Sequence, residues 1–337
     1  MFRRSGARLV LPLLTRNTCP SYATVSPSLL NPGLRAPPPP EGAAKNVFPS
    51  ISSTIRPPNI VCCYTSNSGH VLGVSLLYES RPSATRKVNR ESTSANNTDV
   101  LLVAHCVQDG DEHKVTVASG FALEAPSQRE GESLILTCAH TFEEIRRSPL
   151  MLKSGADRTL DNRSPRRVSS GSFVMSSEGS IYPVTEIVSC LPRSDLMILS
   201  CKKPPVATLP VSPYPVHPET RVLGHLVSHE PPSEAGWSPW IENSWSKWVR
   251  GTVLGYRDFA GRETMPGTYD ALSHLLFSPL PTAGSSGGPI IDEETGAVIG
   301  VMLGTRMYSR VEGTRGWGVP SETIFEMFSL PGLEGKK

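Results

Sequence analysis

Nowhere in the 337 residues is there an apolar run of 18 or more, so no membrane-spanning helix is expected. An excess of one charge is also missing. Lys and Arg number 33 against 31 Asp and Glu, and the formal +2 gives no footing for nucleic-acid binding. The seven cysteines (Cys19, Cys62, Cys63, Cys106, Cys138, Cys190 and Cys201) are odd in number and irregular in spacing. They form neither a CxxC motif nor a zinc-spaced Cys/His set, so no metal or other cofactor is implied. A reducing or thiol-tolerant compartment suits them better than secretion, with most of them buried as small apolar groups. Solenoid repeats are absent, and 32 prolines with 28 glycines stay below the roughly 25–30% that marks low complexity.

Acidic residues are missing before Glu41, whereas Arg3, Arg4, Arg8, Arg16 and Arg35 precede it. Residues 1–30 are also rich in Ser and Thr, with Phe2, Leu9, Val10, Leu13 and Leu14 interspersed, which is the make-up of a mitochondrial presequence. A secretory signal is the rival reading, but its apolar run Leu9–Leu14 is short and broken by Pro12. A plain disordered tail is the third. Residues 31–58, with four consecutive prolines at Pro37–Pro40, read as an extended linker.

From Asn59 onward, short apolar runs alternate with turn residues. They include Ile60–Tyr64, Val71–Leu77, Val100–Val107, Lys114–Leu123, Leu134–Cys138, Val184–Val188, Leu196–Cys201, Arg221–Val227, Val249–Tyr256, His274–Phe277 and Ala297–Leu303. Their lengths and β-branched content predict an all-β barrel or sandwich. Helix is expected only at Glu322–Phe328, with Ser321 as N-cap. Ser154–Ser180 reads as a long exposed loop, and Ser228–Lys247, which holds Trp237, Trp240 and Trp245, as a binding lip or a lid packed on the barrel.

Gly284-Ser285-Ser286-Gly287-Gly288-Pro289 is the most informative stretch. A serine among glycines at a tight turn can present its hydroxyl beside free backbone N–H groups, which is what acyl transfer needs. The letters also fit the G-x-S-x-G elbow of α/β-hydrolases, but those place the histidine after the serine, and no histidine follows His274. The base must lie upstream. Leu134–Cys138 leads into Ala139-His140, and Ser194-Asp195 opens the apolar run Leu196–Leu199. His140 and Asp195 lie 55 residues apart, and Asp195 and Ser286 lie 91 apart. The His, Asp, Ser order of the chymotrypsin template has gaps of roughly 45 and 93. His105 would need a gap twice the template's, so it is expected to be a strand residue. His70, His113, His217, His225, His229 and His274 read as surface or loop histidines. Asp157 and Asp161, the rival acids, have no apolar strand after them to hold them rigid.

Thr137-Cys138-Ala139-His140, Asp195-Leu196-Met197-Ile198-Leu199 and Gly284-Ser285-Ser286-Gly287-Gly288-Pro289-Ile290 together resemble the three signatures of trypsin-like serine peptidases. Ser119-Gly120-Phe121, Gly296–Val301 and Gly316–Pro320 bring the likeness closer to Deg/HtrA-type protease domains than to secreted trypsins. It spans residues 59–330, with 331–337 as a tail that leaves no room for a PDZ domain. The resemblance implies two six-stranded antiparallel β-barrels with a short C-terminal helix. It also implies a serine endopeptidase acting on polypeptides, with His140, Asp195 and Ser286 as catalytic triad and Gly284 and Ser286 as oxyanion donors. Leu303, Gly304 and Thr305 would pair with substrate, and Leu280, six residues before the nucleophile, would sit at the base of the primary specificity pocket, with Met302 and Leu303 facing it. Ser285 stands where secreted relatives carry an aspartate that receives a newly cut N-terminus, so the oxyanion loop must be ordered by other contacts, by substrate or by homo-oligomerisation. A catalytically silent, chaperone-like peptide-binding module is the alternative on the same fold.

Overall fold

The computed structural model describes residues 60–87, 99–125, 131–156, 168–202, 207–241, 244–309 and 313–333. The presequence-like segment, the proline-rich linker, Asp157 and Asp161 all lie outside them. Strands predominate, as the sequence patterning predicts. The first set is β1 (Leu101–Asp109), β2 (Glu112–Leu123), β3 (Glu132–Cys138), β4 (Ser169–Met175), β5 (Ile181–Leu191) and β6 (Leu196–Lys202). Their order is β1-β4-β5-β6-β3-β2, and β2 returns to pair with β1, closing a six-stranded antiparallel barrel. Leu101, Val103, Ala122, Ile135, Val174, Ile187, Met197 and Leu199, drawn from all six strands, fill one buried cluster.

The crossing to the second barrel runs through β7 (Thr208–Leu209), which pairs in parallel with β2, and a bridge from Val211 to Val298. The second barrel closes through β8 (Arg221–Ser228), β10 (Trp245–Arg257), β12 (His274–Phe277), β15 (Gly313–Pro320), β14 (Val298–Ser309) and β13 (Pro289–Asp292). Short β9 (Ser238–Pro239) and β11 (Glu263–Thr264) attach to β10. A further cluster joins the barrels: Phe121, Leu136 and Ile198 of the first meet Leu223, Ile291 and Val319 of the second.

Several elements depart from the sequence expectation. Ile60–Ser66 is a helix, α1, rather than a strand, and Tyr64 packs it on Phe142 at 5.1 Å between ring centroids. Residues 71–77 pair with no barrel strand. This segment makes one bridge, Leu72 to Phe328, and sinks Leu72 and Leu76 into the cluster between the barrels. The loop expected over Ser154–Ser180 contains β4, which pairs with β1 from Leu102↔Met175 to Gln108↔Ser169. Its composition, Ser-Ser-Gly-Ser-Phe-Val-Met, hides an edge-free strand behind small polar residues that burial tolerates once the ladder is made. Helices also occur at α2 (His140–Arg146) and α3 (Pro149–Ala156), while the C-terminal helix α4 is only Glu322–Phe325. Ser321 makes no side-chain cap there; its hydroxyl is buried without a partner.

The Trp-rich insertion between β8 and β10 packs rather than projects. Trp240 and Ile241 close over Leu102, Ala104, Cys106, Val115 and Phe173 of the first barrel. Full burial of a side chain such as Ile241 is worth about 1.5–3 kcal/mol, so the insertion clips one barrel to the other. His225 of β8 is fully buried between Trp240 and Trp248, each ring 5.1 Å away, and is not a surface histidine. His274 opens β12 stacked on Trp317 at 4.1 Å and is likewise no loop residue. His70, His113 and His217 are exposed as expected.

Candidate active site

β3 ends at Cys138, and the chain turns at once into α2, so His140 is the first residue of that helix. The first N–H groups of a helix have no partner within it. Asp195 supplies one from the turn between β5 and β6: its Oδ1 accepts from the Ala139 and His140 amides at 2.9 and 2.7 Å. Its Oδ2 lies 2.6 Å from His140 Nδ1. One carboxylate thus caps the helix and fixes the tautomer of the imidazole, leaving Nε2 outside that contact. Asp195 adopts a left-handed φ of 57°, a conformation that Asp tolerates better than most residues. Burial opposes a charge on His140, but the Asp195 carboxylate and the neighbouring Cys138 sulfur together outweigh it and hold the imidazole well above its ordinary value. Nε2 also meets the Cys138 sulfur at 3.8 Å.

The Gly284–Gly288 turn comes from the second barrel and is gripped by the first. Ser119 of β2 takes the Ser286 carbonyl on its N–H at 2.7 Å and donates its hydroxyl to the Gly284 carbonyl at 2.8 Å. Gly287 has φ 84°, and a Cβ there would stand 2.3 Å from the Ser119 carbonyl oxygen and 2.8 Å from the Cys138 nitrogen. Only glycine lets the turn come this close to the strand that carries His140. Within the turn, the N–H groups of Ser285, Gly287 and Gly288 are bonded to Thr282, Met302 and Ser285. Among the described residues, the N–H groups of Gly284 and Ser286 donate to no such partner. These two unbonded amides flank Ser285, on the turn that presents the Ser286 hydroxyl.

The sequence model of the trypsin-like peptidase domain matches residues 118–301, more than half of the chain. The chain belongs to the trypsin-like peptidase family. The peptidase domain resembles, at 17% identity, the active form of the Rv3671c protease from M. tuberculosis, covering 76% of this chain and 92% of that one with a TM-score of 0.41. An inactive-form mutant of Rv3671c from M. tuberculosis H37Rv follows at 15% identity, 74% and 93% coverage and a TM-score of 0.39. No curated protein matches the sequence.

In this serine peptidase domain His140 and Asp195 are joined, but the Ser286 hydroxyl donates to the Leu303 carbonyl at 2.9 Å, not to His140. Leu303 lies at the bulge between Met302 and Gly304, where β14 stops pairing continuously with β15. β13 pairs with β14 no further than Val301, so among the described residues the other edge of β14 is open from Leu303 onward. Gly304 and Thr305 follow on that edge. Leu280 is 48% exposed and not packed in the second barrel, whereas Met302 is buried in the barrel core and cannot wall a pocket. His105 is buried in β1, with Nδ1 on the Ser172 hydroxyl at 2.7 Å and its ring edge-on to Phe142. Burial, helped by the nearby His140 charge, pushes its pKa down to about 3, so it is the strand residue expected.

Two further side chains shape the turn. Ser285 is fully buried, and its hydroxyl accepts the Val227 N–H at 2.9 Å and shares a 2.8 Å hydrogen bond with Thr282. A neutral pair of hydroxyls therefore anchors the Gly284–Gly288 turn to β8. His229 presses its imidazole against Gly284, where a Cβ would meet Nε2 at 2.7 Å. Desolvation keeps that ring below its ordinary pKa. Ser285 shows in the sequence as a Ser in place of an acid, whereas no sequence signal points to the His229 contact.

Proposed function

We propose that the chain is a serine endopeptidase in which Ser286 attacks the peptide carbonyl, His140 is the general base and Asp195 orients it. The observation that carries this is the pair of unbonded amides, Gly284 and Ser286, on a turn held against the His140 strand. As Ser286 Oγ bonds to the carbonyl carbon, its proton passes to His140 Nε2, and the oxyanion takes hydrogen bonds from those amides. His140 then gives the proton to the leaving amine, and water hydrolyses the acyl-enzyme by the same relay.

Substrate docking has a direct bearing on the nucleophile. An extended peptide adding to the open edge of β14 would donate an N–H to the Leu303 carbonyl. That carbonyl now holds the Ser286 hydroxyl at 2.9 Å. Competition for it frees Oγ to rotate about Cα–Cβ toward His140, so a peptide that fills the edge activates the serine that cuts it. Leu280 offers no charge to a cationic side chain, and burying an unpaired cation costs several kcal/mol. Medium apolar residues such as Val, Leu or Ala are therefore the expected choice before the scissile bond. Residues 1–30 would direct the protein to mitochondria, on their acid-free, Arg-rich composition.

Digestion of a peptide library by the wild-type chain and by Ser286→Ala tests both layers. The wild type should cut after apolar residues and the variant should not cut. A dominant preference for Lys or Arg would remove Leu280 from the pocket, and equal cleavage by the variant would remove Ser286 from the chemistry.

A further inference from the structure

The open edge of β14 runs from Leu303 toward a concentration of positive charge. Arg306 of β14 stands directly opposite Arg315 of β15 in the antiparallel ladder. Directly opposed residues share a sheet face, and like charges there are destabilising. Among the described residues neither guanidinium has a carboxylate partner. The Arg306 guanidinium lies 4.4 Å above the ring of Trp317, two residues along β15 from Arg315. From there a ladder of rings continues: Trp317 on His274 at 4.1 Å, His274 edge-on to Phe259 at 5.6 Å, and the guanidinium of Arg193 4.9 Å over Phe259. Arg193 is exposed and belongs to the same turn as Asp195, so the ladder joins the triad's own loop to the open edge. Asp258, the carboxylate that acts on His274, is already held by Arg262 at 2.7 Å.

Resting on the peptidase reading above, we propose that this surface selects substrates with acidic side chains upstream of the cleaved bond. A peptide paired antiparallel to β14, as its neighbours β13 and β15 are, ends at Leu303 beside Ser286. Residues about three to five positions before the scissile bond then pass Thr305, Arg306 and Met307. A Glu or Asp there bridges Arg306 and Arg315, turning a cross-strand repulsion into a pair of charge-assisted hydrogen bonds. Phe259, 53% exposed, and Trp317 give the stems of those side chains an apolar floor, with Arg193 closing the far end.

Binding to the Ser286→Ala chain tests this without needing turnover. Fluorescence anisotropy would compare two labelled peptides, identical except for Glu or Gln at the third to fifth positions before an apolar cleavage residue. The Glu peptide should bind about tenfold more tightly at low salt, with the advantage shrinking in 0.5 M NaCl. Arg306→Gln with Arg315→Gln should erase the difference, and Arg306→Glu with Arg315→Glu should reverse it. The Gln pair should also leave thermal stability equal or higher, because a repulsion is removed; a purely structural pair would lower it. Equal affinity for the two peptides overturns the proposal. Fluorophosphonate labelling of the wild-type chain separates the readings: labelling without a Glu preference sinks the acidic subsite alone, while a Glu preference without labelling sinks the peptidase reading and leaves an anionic peptide site.

Discussion

At Asp195 the backbone takes a left-handed φ of 57° because the carboxylate has three donors to meet at once, the Ala139 and His140 amides and His140 Nδ1. Its strain is offset by the hydrogen bonds it makes possible. The consequence is a raised His140 pKa, and its sign sets the pH profile. In the proposed mechanism His140 works as base only when neutral, so kcat/KM should fall with an acid limb above the ordinary imidazole value of about 6.5. Asp195→Asn should move that limb down while cutting kcat by about 10⁴; an acid limb unchanged in this variant would dissociate the carboxylate from His140. Ser286→Ala and His140→Ala should each lose on the order of 10⁶ in kcat. His105→Asn should lose stability instead and keep kcat within about tenfold, since His105 touches Ser172 and Phe142 and not the nucleophile.

Among the elements, the turn that carries Ser286 depends on contacts from three strands: Ser119 of β2, Val227 of β8 and Met302 of β14. Gly284→Ala puts a methyl group at a φ of 89° and 2.7 Å from the His229 ring. We expect a loss of about 10–100-fold in kcat with little change in KM, because the oxyanion amide moves while the β14 edge stays. A rise in KM at constant kcat would place Gly284 in substrate binding instead. The elements differ in how openly they declare themselves. β12 spans His274–Phe277, the residues its apolar run predicts, and the His140–Asp195 contact joins two positions that motif order singles out, because strand ends write their geometry into adjacent letters. β4 stayed hidden since Ser-Ser-Gly-Ser carries no period of its own and becomes a strand only through the β1 ladder. α1 read as a strand because Ile-Val-Cys-Cys-Tyr suits either state, and packing on α2 decides between them. The Arg306–Arg315 pair was equally invisible, being a product of register between strands rather than of sequence spacing.

Across the described residues of the molecule, four buried or half-buried histidines are pushed toward the neutral form by desolvation: His105 and His225 to pKa values of about 3, His274 to about 4, and His229 in the same direction. Depressed values in the folded state mean that the unfolded chain takes up protons first as pH falls. Their contribution is complete above about 6.5 and is lost progressively as pH drops through the window toward 3. Unfolding monitored from pH 7 to 4 should therefore show stability falling steeply, with uptake of two to three protons at about pH 5. His225→Phe, which keeps the stack between Trp240 and Trp248, should flatten that slope; a pH-independent midpoint in the wild type would contradict the burial of these rings. The same insertion that encloses His225 also clips the barrels together through Ile241, so protonation of His225 at low pH should weaken the contact between the barrels. What joins all these scales is the claim that Ser286 is a nucleophile activated by His140. Mass-spectrometric mapping of the adduct after treatment with a fluorophosphonate tests it most directly. The expected result is one modification, on Ser286, formed at a rate that falls at least a thousandfold in His140→Ala; an unmodified Ser286, or one labelled equally fast without His140, would contradict it.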